Sequence, residues 1–95
     1  MLNNRADSLE LLNSTHSFPC SFEFKVIGNA SDDFVTLVVE AIVAITSETD
    51  PPHSTRTTPG GRHVSVSVEP VVQQAEHVLE IYERLKGLEG VVMLL

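Results

Sequence analysis

Four histidines and one cysteine are the residues of this chain best suited to metal binding or nucleophilic catalysis. A protein zinc site takes four cysteine, histidine or carboxylate ligands at short, characteristic spacings. His16, His53, His63 and His77 are scattered along the sequence, and Cys20 supplies a single thiolate. A Cys–His hydrolase would also need an oxyanion site and a substrate cleft. We therefore expect no catalytic residue, no metal site, no cofactor and no enzymatic activity.

The charge balance restricts the classes of partner. Thirteen acidic and six basic residues give the 95-residue chain a formal net charge of −7. Such a surface repels nucleic acid and anionic membranes, so neither is an expected partner. One cysteine excludes an intramolecular disulfide, and the first residues lack the apolar segment of a secretory signal. We expect an acidic, cytoplasmic bacterial protein.

The clearest predicted element is a strand over residues 18–28, beginning near Pro19 and ending at Gly28. Its residues alternate between apolar and polar, as in a strand with one buried face. One side carries Phe22, Phe24 and Val26, and the other carries Ser21, Glu23 and Lys25. We expect this strand in the middle of its sheet, with the phenylalanine side in the core.

The next segment has the periodicity of a helix. Apolar residues recur every three and four positions over residues 32–47. Ser31 is the predicted N-cap, and Asp32 and Asp33 would lie at the positive end of the helix dipole. Asp50 and the two prolines that follow it end the element.

A second helix and a short helical turn complete the helical predictions. The second helix is predicted to begin at Pro70, which suits a first helical turn, and to end with Gly87 as its cap. Residues 1–17 form a predicted polar N-terminal tail. Its apolar residues, Leu9, Leu11 and Leu12, favour one short turn of helix that docks on the core.

Three further strands are predicted. The threonine-rich residues 53–58 resemble a short polar edge strand, and the turn 59–61 joins them to a strand over residues 62–69. Valine alternates with polar residues in that strand. The apolar run at residues 91–95 forms the last one.

This order of elements predicts one α+β domain over residues 18–95. Strand, helix, strand, strand, helix, strand is the order of a ferredoxin-like βαββαβ two-layer sandwich. Right-handed crossovers would place both helices on one face of an antiparallel sheet with the strand order 4-1-3-2.

Four segments of the sequence resemble the YbeD-like family of small bacterial proteins of unknown function. They are Phe18–Gly28, Gly60–Val68, Val78–Lys86 and Gly90–Leu94, which together extend over residues 18–95. The resemblance implies a ferredoxin-like fold similar to small-molecule-sensing ACT domains. It implies no known activity.

Two functions remain open at this point. The first is a non-enzymatic binding or regulatory module that acts through protein association, using the sheet or its edge. The second is an ACT-like sensor that binds a metabolite at a subunit interface. Its candidate ligand residues are Gly28, Asn29 and Ser31, in the loop after the first strand, and Lys25, on the polar side of that strand.

The last strand predicts self-association. Residues 91–95 are apolar at every position, and we expect them to have neither charge, proline nor bulge, the devices that usually protect an exposed edge. Either the N-terminal leucines or a second subunit would cover them. We expect a homodimer built on this edge or on the sheet face beside it, with Val92 and Leu94 as the candidate interface residues.

Overall fold

The computed structural model describes residues 4–31 and 33–95, which form three helices and six strands. The helices are α1 (Arg5–Thr15), α2 (Phe34–Thr46) and α3 (Ala75–Lys86). The strands are β1 (Cys20–Ser21), β2 (Phe24–Asn29), β3 (His53–Thr57), β4 (His63–Val68), β5 (Val71–Val72) and β6 (Val91–Leu94). Helices and antiparallel sheets in one chain confirm the predicted α+β class.

Four strands form the main sheet in the order β3-β4-β2-β6, and all neighbours are antiparallel. β2 and β4 are the central strands and pair from Phe24 opposite Val68 to Asn29 opposite His63. β3 and β6 lie at the two edges. All five residues of β3 are exposed, which suits their polar side chains because such chains discourage pairing with other proteins.

One face of the main sheet packs against α2 and α3 and forms the core. Alternate residues of the two central strands are buried there, as the sequence alternation predicts. The buried apolar residues of these strands are Phe24, Val26, Val64, Val66 and Val68. We refer to the opposite side of the main sheet as the outer face. The register places on it Lys25, Ile27, Ser54, Arg56, Ser65, Ser67 and Met93.

The helical periodicity of α2 is confirmed, but its predicted cap is wrong. Phe34, Val38 and Ile42 are buried on one side of the helix. The N-cap residue is Asp33, whereas the hydroxyl of Ser31 donates a hydrogen bond to Asp33 Oδ1 at 3.1 Å. Ser31 lies two residues before the N-cap position, and its hydroxyl binds the Asp33 side chain instead of a backbone N–H of the helix. Asp32, also predicted at this end of the helix, lies outside the described residues.

The predicted strand over residues 18–28 is interrupted, so one continuous strand was wrong. Its first part, β1, pairs with β5 in a separate two-stranded sheet. The ladder between β2 and β4 ends where Phe24 lies opposite Val68, whereas the β3 side of β4 continues by one bond, from the N–H of Glu69 to Pro52 O at 2.9 Å. The N–H of Phe22 then bonds Pro70 O at 3.0 Å.

The predicted start of the second helix at Pro70 is also wrong. Val71 and Val72 form β5, and the helix begins at Ala75 with Gln74 as its N-cap. The N–H of Val71 donates to Glu48 Oε2 at 2.7 Å, so the carboxylate holds this residue in the strand. Pairing of residues 71 and 72 with β1 therefore outweighs the preference for a helix after Pro70.

The N-terminal helix is longer than the predicted single turn. Asn4 caps it by accepting a hydrogen bond from the N–H of Asp7 at 2.8 Å. α1 packs against α3, and Leu12 contacts the core. No helix in residues 4–31 and 33–95 is long and apolar enough to cross a membrane.

Candidate functional site

The free edge of β6 is an exposed apolar surface at the end of the chain. Val92 is 54% exposed, Met93 49% and Leu95 55%. The register between β2 and β6 shifts between Ile27 and Gly28, so a bulge interrupts the pairing beside Val92. The edge therefore has one of the protective devices that the sequence did not reveal. The regular part of the edge is the segment 93–95.

Some backbone groups of the segment 93–95 bond to β2, and others point away from the sheet. The N–H of Leu95 donates to Lys25 O at 2.9 Å. In an antiparallel ladder, hydrogen-bonded pairs alternate with pairs whose backbone groups point outward. Leu94 lies opposite Val26, between two such bonded positions, so its N–H and C=O point to the free edge. A second strand could pair there.

The two predicted interface residues differ in accessibility. Val92 is exposed at the edge, whereas Leu94 is half-buried and packs against the core. The N-terminal leucines are not the cover for this edge, because α1 packs mainly against α3, and Val92, Met93 and Leu95 remain about half exposed. Val92, Met93 and Leu95 are thus the side chains that a partner could reach.

A depression lies where β2 leads into α2. It has a volume of about 350 Å³ and is lined by Asn29, Ser31, Asp33, Leu37, Glu89 and Gly90. Two of the predicted ligand residues, Asn29 and Ser31, thus lie on its surface. The sequence missed Glu89 and Gly90, which reach the site because the N–H of Asn29 donates to Gly90 O at 2.9 Å. The predicted pairing of the first and last strands could have revealed them.

The other two predicted ligand residues lie elsewhere. Gly28 is buried beneath the depression, against the ring of Phe34. Lys25 is on the outer face, opposite Ser67 of β4. Carboxylates of Asp33 and Glu89 line the depression, and the described lining residues include no basic side chain. Its electrostatic potential therefore favours a neutral or cationic group over a phosphate.

A second, more open depression of about 210 Å³ lies at the end of the outer face. Its lining residues are Glu23, Pro52, His53, Ser54, Ser67 and Glu69. The Nδ1 atom of His53 lies 3.0 Å from Pro51 O, so this nitrogen carries the proton in the neutral ring. The two glutamates make this end of the sheet acidic.

The remaining histidines and the cysteine are dispersed over the fold. Cys20 is half-buried in β1, His63 lies in β4, and His77 lies in α3 with a buried Nδ1 atom that has no hydrogen-bond partner. In the part of the chain that the structure describes, no three His, Cys, Asp or Glu side chains are grouped to hold a metal ion.

A row of aromatic rings connects the N-terminal segment with α3. His16 stacks against Phe22 with ring centroids 5.1 Å apart, Phe22 lies 5.0 Å from Phe24, and Phe24 lies 5.2 Å from Tyr82. Burial in this row raises the pKa of the Tyr82 hydroxyl above its ordinary value of 10.0. The row closes one end of the core and is structural.

Comparison with known families identifies the chain. The sequence model of a family described as "Protein of unknown function (DUF493)" matches residues 13–95. The chain belongs to this family. Relatives in the DUF493 family include a UPF0250 protein of Shewanella amazonensis, 34% identical over 85 residues, which covers 85% of this chain and 96% of the relative. A UPF0250 protein of Shewanella piezotolerans is 39% identical over 74 residues, 78% of this chain and 83% of the relative. These matches confirm the YbeD-like resemblance.

Two solved structures share the fold of this DUF493 member. The solution structure of HP0495 from H. pylori has a TM-score of 0.67 at 20% identity, over 84% of this chain and 85% of that protein. The ACT domain from GTP pyrophosphokinase of Chlorobium tepidum has a TM-score of 0.51 at 11% identity, over 80% of this chain and 97% of that domain. At these identities the likeness shows an ACT-like α+β fold alone.

Proposed function

We propose that this DUF493 protein is a non-catalytic, cytoplasmic association module that forms a homodimer through the free edge of β6. The supporting observation is the exposed apolar edge at residues 92–95, whose outward backbone groups at Leu94 can pair with a second strand. Antiparallel pairing of two β6 edges is compatible with two-fold symmetry, the commonest symmetry of homo-oligomers. Neither depression described above contains both Cys20 and a histidine, which favours association over catalysis.

The size of the edge predicts a weak dimer. Val92, Met93 and Leu95 are each about half exposed, and burying the rest of such a side chain contributes about 1 kcal/mol. Two copies would gain about 6 kcal/mol, plus the backbone hydrogen bonds, against an association cost of about 4–15 kcal/mol. Even at the lowest association cost the net gain is only a few kcal/mol, so the dissociation constant is expected in the high-micromolar to millimolar range.

Charge should modulate this equilibrium. Each copy carries a formal net charge of −7, so two copies repel each other, whereas residues 91–95 are uncharged. Added salt screens the repulsion without weakening the apolar contact. We expect the dimer to be more stable at higher ionic strength, the opposite of an interface held by ion pairs.

The substitution Val92→Lys tests the edge directly. It places a charge in the apolar contact of both copies and should weaken the dimer by more than about tenfold. The measurement is molar mass by light scattering over a concentration series, in which wild type should approach twice the 10.4 kDa of one chain. Val71→Lys is the matched control, because Val71 is 40% exposed but lies on the separate two-stranded sheet.

The two variants separate an edge effect from a general effect of charge. Val71→Lys should dimerise like wild type, and circular dichroism should show both variants folded. A wild type that remains monomeric up to about 1 mM would contradict the proposal. The proposal would also be contradicted if Val92→Lys and Val71→Lys weakened the dimer equally.

A second candidate function is binding of a small molecule in the depression beside α2. It is favoured by the presence there of the predicted residues Asn29 and Ser31. Glu89 and Gly90, also in its lining, directly precede β6, so a second subunit on the β6 edge would lie next to the depression. This arrangement suits a ligand that contacts a subunit interface and carries an amino group to face Asp33 and Glu89.

Thermal unfolding can test this candidate. A ligand that binds only the folded protein raises the melting temperature, by about 10–20 °C at 100 times its Kd for a domain of this size. We expect lysine or arginine to raise it and nucleotides to leave it unchanged. Glu89→Gln should abolish the effect, and Glu83→Gln on α3 should preserve it. A shift that Glu89→Gln does not reduce, or no shift with any amino acid, would exclude this site.

A further inference from the structure

Charge is segregated between the two layers of the fold. The four strands of the main sheet contain Lys25 and Arg56 but neither Asp nor Glu within their described bounds. The three helices contain three cations, Arg5, Arg84 and Lys86, and twice as many carboxylates: Asp7, Glu10, Glu40, Glu76, Glu80 and Glu83. The molecule is therefore acidic on its helical side, while its outer face is basic despite the net charge of −7.

Two rows of side chains on the outer face run across three or four strands, and Asn29 lies opposite His63 beside them. Ser54, Ser67 and Lys25 form one row. Arg56, Ser65, Ile27 and Met93 form the next. Hydroxyl groups thus occupy the centre, apolar side chains lie toward β6, and the two cations lie diagonally across three strands. Strand and residue spacings put Lys25 and Arg56 about 12 Å apart.

Both cations are free to meet a partner. Among residues 4–31 and 33–95, the one ion pair within 4.0 Å joins Lys86 Nζ to Glu83 Oε1 on α3, at 3.4 Å. Lys25 and Arg56 are both exposed and have no carboxylate within that distance. Glu23 and Glu69 lie just beyond the ends of β2 and β4, where they give the face an acidic end.

The acidic helices do not prevent an anion from approaching this face. They lie on the opposite side of the sheet, and at physiological ionic strength the Debye length is only about 8 Å. A partner on the outer face is therefore influenced mainly by the groups it contacts. Two cations beside exposed apolar groups are complementary to a segment that carries both carboxylates and apolar side chains.

We propose that the outer face binds an acidic, partly apolar peptide segment of a partner protein. Its carboxylates pair with Lys25 and Arg56, its apolar side chains cover Ile27 and Met93, and its polar groups meet the serine hydroxyls. The acidic end at Glu23 and Glu69 sets the direction in which the segment lies. Single-stranded nucleic acid fits poorly, because among its described residues the face offers only two cations and no Phe, Tyr or Trp ring for base stacking.

This inference extends the proposed association function, since the same sheet carries both surfaces and Met93 belongs to both, but its test rests on Lys25 and Arg56, which the dimer edge does not use. Its test uses a short fluorescein-labelled copolymer of glutamate and tyrosine, with poly-L-glutamate and oligo-dT as comparison probes. We expect binding in the order copolymer, poly-L-glutamate, oligo-dT, measured by fluorescence anisotropy. Lys25→Glu and Arg56→Glu should each weaken copolymer binding about tenfold, the effect of losing one charge-assisted contact.

Arg84→Glu is the matched control, because Arg84 is an exposed cation on α3 and the substitution changes the net charge equally. It should change the affinity less than about twofold. Lys25→Gln and Arg56→Gln provide milder variants if charge reversal impairs folding. Equal losses in Arg84→Glu and Lys25→Glu, or binding of oligo-dT as tight as that of the copolymer, would overturn the proposal. Light scattering on the same variants reports the dimer separately, so either proposal can fail alone.

Discussion

Replacement of Phe24 by alanine is expected to lower the free energy of unfolding by about 3–5 kcal/mol, a large share of the stability of a small domain. Phe24 is fully buried in a central strand, and its ring packs edge-on against Tyr82 with centroids 5.2 Å apart. Truncation would leave a cavity between the sheet and α3. Because the neighbouring strands are fixed by their ladders, this cavity can collapse only in part.

Urea denaturation measures this effect, and Phe22→Ala provides the comparison. Phe22 stacks on Phe24 at 5.0 Å but is only half-buried, between β1 and β2. Phe22→Ala should lower the free energy of unfolding clearly less than Phe24→Ala does. Equal midpoints for Phe24→Ala and wild type would mean that the central strand is wrongly placed.

Replacement of Gly28 by alanine should destabilise the protein by about 1–3 kcal/mol or more, although only one methyl group is added. The new Cβ would overlap the ring of Phe34, lying 2.5 Å from Cε1 and 2.7 Å from Cε2. Phe34 is itself almost fully buried at the start of α2, so its ring has no free space to enter. Either the helix or the strand must shift.

Two further variants give this prediction its controls. Gly87→Ala should be close to neutral, because the nearest atom to its Cβ would be Arg84 O at 3.6 Å and its φ of −84° suits any residue. Phe34→Leu should partly rescue Gly28→Ala by making room for the methyl group. The double variant should therefore lose less free energy of unfolding than the two single variants lose in sum. Simple additivity would show that the two positions do not compete for space.

The strongly periodic elements could be predicted from the sequence because their residues face one large core. The alternation at Phe24 and Val26 identifies β2, and the intervals between Phe34, Val38 and Ile42 identify α2. These patterns depend only on which side of an element is buried. Their positions are therefore independent of contacts with distant parts of the chain.

The features that the sequence did not predict depend on distant partners. Cys20 pairs with Val72, fifty-two positions away in the chain, and Glu48 holds Val71 through a side-chain hydrogen bond. Neither contact leaves a local signal, so β1, β5 and the start of α3 were predicted wrongly. The lining of the depression beside α2 was predicted only in part for the same reason. Asn29 belongs to the loop after β2, whereas Gly90 lies at the site because its strand pairs with β2.

Amide hydrogen exchange at Leu94 is the most direct test of the central claim, that two copies associate through the β6 edge. The N–H of Leu94 points outward, so it exchanges rapidly in a monomer and becomes protected when a second strand pairs with the edge. The N–H of Asn29, bonded to Gly90 O at 2.9 Å, is the internal reference and should be protected at every concentration. We predict that protection at Leu94 rises with protein concentration from micromolar to millimolar. Rapid exchange at Leu94 across that whole range, with Asn29 protected, would contradict the proposal.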